Sequence, residues 1–169
     1  DYIVNVKRQY YDLNIQEIYI KDSQVQYPRV NALKEMVNSI SQQENSYSWI
    51  VDYDDFVMPN ISELMQYLLF DEDVIVGDSY VFKEEWEEEK EIPNISVLDH
   101  IITTNNVNKI LTGGIFLPIC STIYRTKILK DIFKSNDLIG DYFEDYAITL
   151  LALKDNNYKC IPIPFAGIS

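Results

Sequence analysis

The chain has 169 residues, 47% of them hydrophobic, with 13 Tyr, 7 Phe and 2 Trp. A single domain of that size buries about two thirds of its unfolded surface and needs no disulfide or structural metal to hold it. With 27 acidic against 14 basic residues the net charge is -13, a field that repels nucleic acid, anionic membranes and polyanionic acceptors, so a phosphorylated substrate must come with a cation or meet a local basic group.

Ile3, Val6, Tyr10 and Leu13 recur every three or four positions and predict a helix face, followed by a short strand over 15–20. Past the turn residues Asp22, Ser23 and Pro28, the spacing predicts a helix over 29–42 that buries Leu33, Met36, Val37 and Ile40. An apolar strand over 48–51 then ends abruptly in three acids, Asp52, Asp54 and Asp55. Pro59 opens the next unit, with Asn60 or Ser62 capping a helix through Glu63, Leu64, Tyr67 and Leu68. Residues 73–77, with Val74, Ile75 and Val76 in a row, read as a strand. Such alternation predicts an α/β sheet, mixed but mostly parallel with flanking helices, because parallel neighbours need a crossover of about a dozen residues. Ligands of such sheets bind beyond the carboxyl ends of the strands, where the three acids stand.

The run 83–90 packs Glu84, Glu85, Glu87, Glu88 and Glu89 around Trp86 and reads as a solvated face or loop. A helix is expected over 95–102, and His100, the only histidine, reads as a surface or satisfied residue. Gly113 and Gly114 suit either a plain turn or a close backbone approach to a ligand. Residues 122–133 predict a helix or a strand then a helix, 144–153 a helix, Asn156 and Asn157 a turn, and 159–163 a closing strand. No repeat or linker interrupts the chain, so one domain over 1–169 is expected. Cys120 and Cys160 lack CxxC spacing and read as buried, reduced thiols, which points to the cytoplasm. No apolar stretch approaches the roughly 20 residues that cross a bilayer, and no secretory leader follows Asp1.

The segment WIVDYDDFVMPN, residues 49–60, carries the sharpest chemistry. Three carboxylates crowded at a strand exit raise one another's proton affinity unless a cation neutralises them, and hard oxygen ligands suit Mg²⁺ or Mn²⁺. The plainer alternative is a polar strand end whose acids cap the following turn. An EF-hand is excluded because the stretch lacks the loop glycine and the closing glutamate. A phosphatase of the DxDxT type is excluded by Phe56, which stands where a hydroxyl residue is needed.

PRVNALKEMVNSISQQENSYSWIVDYDDFVMPN, residues 28–60, resembles the inverting family 2 glycosyltransferases of the GT-A type, in which an Arg-led helix precedes a strand ending in DxD acids and then Pro. STIYRTKILKDIF, residues 121–133, and GDYFEDYAITLLALKDNNYKCIPIP, residues 140–164, resemble the later segments of that family in the same order. The resemblance implies a Rossmann-like GT-A sheet and transfer of a sugar from a nucleoside-diphosphate donor to a glycan or lipid-linked acceptor hydroxyl, with inversion, in bacterial surface polysaccharide synthesis. It assigns Asp54 or Asp55 to the metal, Asp52 or Asp54 to the ribose or diphosphate, and Arg29 to the nucleotide. Gly113 and Gly114 fall on the acceptor side, and Asp145, paired with Glu144, matches the general base.

Two departures from the family stand out. Its opening base-binding strand finds no match, so an incomplete N-terminal side and an exposed sheet edge are expected, with activity depending on a longer parent protein that also provides any peripheral membrane association. Its later metal-binding histidine has no counterpart before Ser169. Competing readings are a non-catalytic domain that keeps the fold to bind a glycan or partner enzyme, and a nucleotidyltransferase, which also pairs metal-binding carboxylates with a nucleotide.

Overall fold

A computed structural model describes residues 27–40, 46–52, 54–57, 71–81, 119–135, 140 and 143–168. Their elements in chain order are α1 (Pro28–Ser39), β1 (Tyr47–Trp49), β2 (Phe56–Val57), β3 (Val74–Val81), a 3-10 turn (Ile119–Ser121), β4 (Thr122–Arg125), α2 (Thr126–Ser135), α3 (Glu144–Asp155) and β5 (Tyr158–Ile168). The strands form one sheet in the order β1-β4-β3-β5-β2.

The fold is mixed α/β, as the alternation of elements implied. Strand direction departs from the expectation of mostly parallel neighbours: β1–β4, β3–β4 and β2–β5 pair antiparallel, and β3–β5 pairs parallel. β1, β3 and β5 therefore share one direction, while β4 and β2 run against it. A strand-helix pattern reveals that β3 and β5 need a long crossover, but it does not reveal the direction of the short strand inserted beside them. Among the described residues β1 ends the sheet, with β4 as its partner.

Burial follows the period of each element. Val74, Ile75 and Val76 are all fully buried, so the middle of the sheet is covered on both faces. Val74, Val76 and Tyr124 pack with the helices, whose contributions are Val30, Leu33 and Val37 from α1, Leu129, Ile132 and Phe133 from α2, and Ile148, Ala152 and Leu153 from α3. Two hydrogen bonds tie polar groups into this core: the Ser48 and Thr126 hydroxyls meet at 2.9 Å, and those of Tyr124 and Thr149 at 2.8 Å. Buried hydroxyls paired in this way avoid the cost of desolvation without a partner.

Two side chains expected in the core lie outside it. Met36 and Ile40 are 49% and 37% exposed and line an open cleft of about 380 Å³ between α1 and β1, with Arg29 and Asp52 also on its walls. The buried stripe of α1 runs instead through Val30, Leu33 and Val37, spaced at three and four. Cys120 is buried as expected, whereas Cys160 is only partly so; both thiols are free.

Candidate active site

Arg29 sits in the first turn of α1, where Pro28 at the opening position fixes the helical backbone. Its guanidinium reaches across the end of β1 to three carboxylates. One nitrogen donates to Asp52 at 2.6 Å and lies 3.5 Å from Asp145, while Nε pairs with Glu144. Asp52 follows β1, and Glu144 and Asp145 form the first turn of α3, where the positive end of the helix dipole favours acids. Three segments distant in sequence thus meet at one guanidinium.

Asp54 and Asp55 belong to the tight turn after Asp52, closed by the Asp55 amide donating to the Asp52 carbonyl at 3.2 Å. Asp55 folds back: its carboxylate accepts from the Asp52 amide at 3.4 Å and from the Cys120 thiol. Asp54 is exposed. The Trp49 indole N–H, donating to the Cys120 carbonyl at 2.6 Å, fixes the 3-10 turn that carries this thiol to the end of β1.

Burial and unbalanced charge set the electrostatics. Desolvation, the hydrogen bond with Asp145 and the charge of Asp145 push Glu144 up to about 7, against the opposing pull of Arg29. Glu144 is only 5% exposed, which is why desolvation leads these causes. Burial works against the charge on Arg29, but the Asp52 hydrogen bond and the surrounding carboxylates outweigh it and push the guanidinium up. Asp55 is pushed up by desolvation and by the charges of Asp52 and Asp54, in spite of its two hydrogen bonds. Desolvation and the charge of Asp55 push the Cys120 thiol up as well, so it remains a neutral donor.

The chain superposes on solved structures of S. aureus TarS. Against residues 1–349 of that protein the TM-score is 0.55 with 18% identity, covering 100% of this chain and 48% of that one. Its complex with UDP-GlcNAc gives 0.52 and 17% over 99% and 46%, and its complex with UDP gives 0.53 and 17% over 99% and 47%. TarS is a GT-A-type glycosyltransferase. This chain has a GT-A fold. It spans about half the length of these neighbours. No family model matches the chain, and no curated protein matches it by sequence.

Within the GT-A fold, the residues singled out from the sequence separate into two groups. Arg29, Asp52, Glu144 and Asp145 converge. The three aspartates after β1 do not gather on one point: Asp52 turns to Arg29, Asp55 turns back on its own loop, and among the described residues no three acid, histidine or cysteine side chains are placed to hold a metal ion. The donor set still fits Mg²⁺ or Mn²⁺, because such ions are commonly held by one or two carboxylates, with phosphate oxygens and water completing the shell. Asp55 is pushed up chiefly by burial and to a lesser degree by the charges of Asp52 and Asp54, and a cation beside the exposed Asp54 would relieve the second of these causes. Gly113, Gly114, Trp86, His100, the acidic run, the helices expected near the N-terminus and over 60–68 and 95–102, and the strand over 15–20 lie outside the described residues.

Three features escaped the sequence. Cys120 as a partner of Asp55 lies 65 positions away and has no local signal. The burial of Glu144 was hidden by its place in a helical first turn, which usually leaves an acid solvated. Tyr27 and Phe143, which immediately precede α1 and α3, both adopt a left-handed backbone, with φ of 62° and 61°, where glycine or asparagine is usual.

Proposed function

We propose that this chain forms much of the catalytic core of an inverting family 2 glycosyltransferase that transfers a sugar from a nucleoside-diphosphate donor to an acceptor hydroxyl. One observation carries the reading: Arg29 links Asp52, at the end of the strand, to Glu144 and Asp145, at the head of the helix 116 positions away. A GT-A fold and the UDP-GlcNAc and UDP complexes of TarS support a nucleotide-sugar donor and make UDP-GlcNAc the first to test. A glycan or lipid-linked hydroxyl of a bacterial surface polysaccharide is the acceptor, met at the cytoplasmic face of the membrane. No helix among the described residues is long and apolar enough to cross one.

In this mechanism Asp145 accepts the proton of the acceptor hydroxyl as its oxygen bonds to the anomeric carbon and the bond to the diphosphate breaks on the opposite face. Arg29 holds Asp145 and Asp52 in register, and Glu144 fixes the Asp145 carboxylate from the buried side. Mg²⁺ or Mn²⁺, held by Asp54 and Asp55, supplies charge neutralisation for the departing diphosphate when bound.

The full-length protein, given UDP-GlcNAc and other nucleotide sugars, should release nucleoside diphosphate and a glycosylated product detectable by mass spectrometry. Asp145→Asn should lower transfer by about 10²–10⁴-fold, the usual worth of a general base, and Asp54→Ala should raise the metal concentration needed. Unchanged turnover in Asp145→Asn sinks the mechanism. Pyrophosphate release assigns nucleotidyl transfer instead, and nucleotide binding without turnover assigns a binding domain.

A further inference from the structure

Phe143 is the most exposed of the large apolar side chains described, at 82% against 51% for Val57 and 49% for Met36. A phenylalanine in water forgoes the burial that ordinarily stabilises it. Its backbone adds a second cost, since φ of 61° is sterically unfavourable for a bulky residue and no side-chain cap bond repays it. The surrounding structure nevertheless holds it there. The Phe143 carbonyl accepts from the Ala147 amide at 3.0 Å, locking the residue to the start of α3. Upstream, Gly140 lies against the Tyr27 ring so closely that a Cβ would stand 3.0 Å from its Cε1, and Tyr27 is the left-handed residue two positions before Arg29. An exposed aromatic ring thus stands immediately ahead of Glu144 and Asp145, and Gly140, three positions before it, packs against the residue that precedes α1.

Strained backbone and free aromatic surface next to a candidate base suit a ligand that has one apolar face and hydroxyls around its rim. A pyranose is such a ligand: its axial C–H groups present an apolar face to a ring, and its equatorial hydroxyls stay free for a carboxylate. We propose that Phe143 is the acceptor platform, stacking on the apolar face of a pyranose acceptor whose hydroxyl is delivered to Asp145. This rests on the glycosyltransferase reading and gives it an acceptor class, a ring sugar rather than an open-chain polyol.

The test uses the full-length protein with methyl β-D-glucopyranoside as the pyranose probe and glycerol as a hydroxyl donor without a ring face. Phe143→Gly removes the ring and accepts the left-handed backbone, Phe143→Ala removes the ring and keeps the strain, and Phe143→Trp keeps an aromatic face. Both ring-less variants should raise KM for the pyranoside by about tenfold, the worth of one aromatic contact. Transfer to glycerol and hydrolysis of the donor should be unchanged, and Phe143→Trp should behave as wild type. Equal losses for pyranoside, glycerol and water, or no change in any, overturn the proposal. A protein with no turnover at all speaks against the transferase reading instead. The platform is then read by saturation-transfer NMR: pyranoside signals present with wild type and absent with Phe143→Gly uphold it, and signals alike in both, or absent from both, overturn it.

Discussion

Arg29 faces three carboxylates, and the one paired through its Nε, Glu144, is also the most buried of them. Its folded-state value of about 7 lies above the ordinary carboxylate value of 4.5, so between those pH values the folded chain binds more protons than the unfolded one. The stability that Glu144 contributes by holding a proton is therefore complete below about pH 4.5 and is lost as pH rises through about 7. Glu144→Gln cannot titrate, so the stability of wild type relative to this variant should fall by on the order of 2 kcal/mol across that window. Urea unfolding at four pH values would show this, and parallel curves for the two proteins would refute it. Arg29 supplies the opposing pull. Arg29→Ala should move the Glu144 titration higher still, visible in the side-chain carboxyl resonance. Arg29→Lys restores the charge but not the fork that meets several carboxylates at once, and should recover little of the lost activity.

At the scale of elements, what was legible depended on whether the signal was local. α3 began at Glu144 as read, because two acids followed by an apolar stripe are local marks of a helix start; β4 followed by α2 matched the strand-then-helix alternative. β3 and β5 run on to Val81 and Ile168, well past the apolar cores that announced them, since their outer halves pair with each other across positions Ser79–Ala166 and Tyr80–Gly167. Pairing of that kind is set by the partner strand and leaves little trace in a single segment. The candidate site divides the same way: Arg29, Asp52 and Asp145 each sit in a local motif, whereas the Cys120 thiol behind Asp55 arrives by tertiary folding alone. The two outcomes along the helices make a paired stability test. Leu129, fully buried on α2, should cost about 2–5 kcal/mol when changed to Ala, while Met36→Ala on the cleft should cost less than about 1 kcal/mol. Equal losses would return Met36 to the core.

For the whole molecule, a net charge of -13 opposes the entry of a nucleoside diphosphate, and the site does not reverse that sign locally, because one guanidinium is already shared among three carboxylates. Binding should therefore be conditional on a divalent cation. UDP alone should move the melting temperature little. UDP with Mn²⁺ should raise it by more than the sum of the two separate shifts, by about 5–10 °C when both are at roughly a hundred times their dissociation constants, since that corresponds to about 2.7 kcal/mol on a domain of this size. Salt separates this from simple charge screening. Without the cation, added NaCl shields repulsion between like charges and should improve the weak binding of UDP; with Mn²⁺ present, the same salt shields attraction and should weaken it. Asp54→Ala should abolish the excess shift while leaving the ligand-free melting temperature in place, because the Asp54 side chain is exposed. Equal shifts from UDP with and without Mn²⁺, and the same salt dependence in both, would mean that the nucleotide is held without the aspartates after β1.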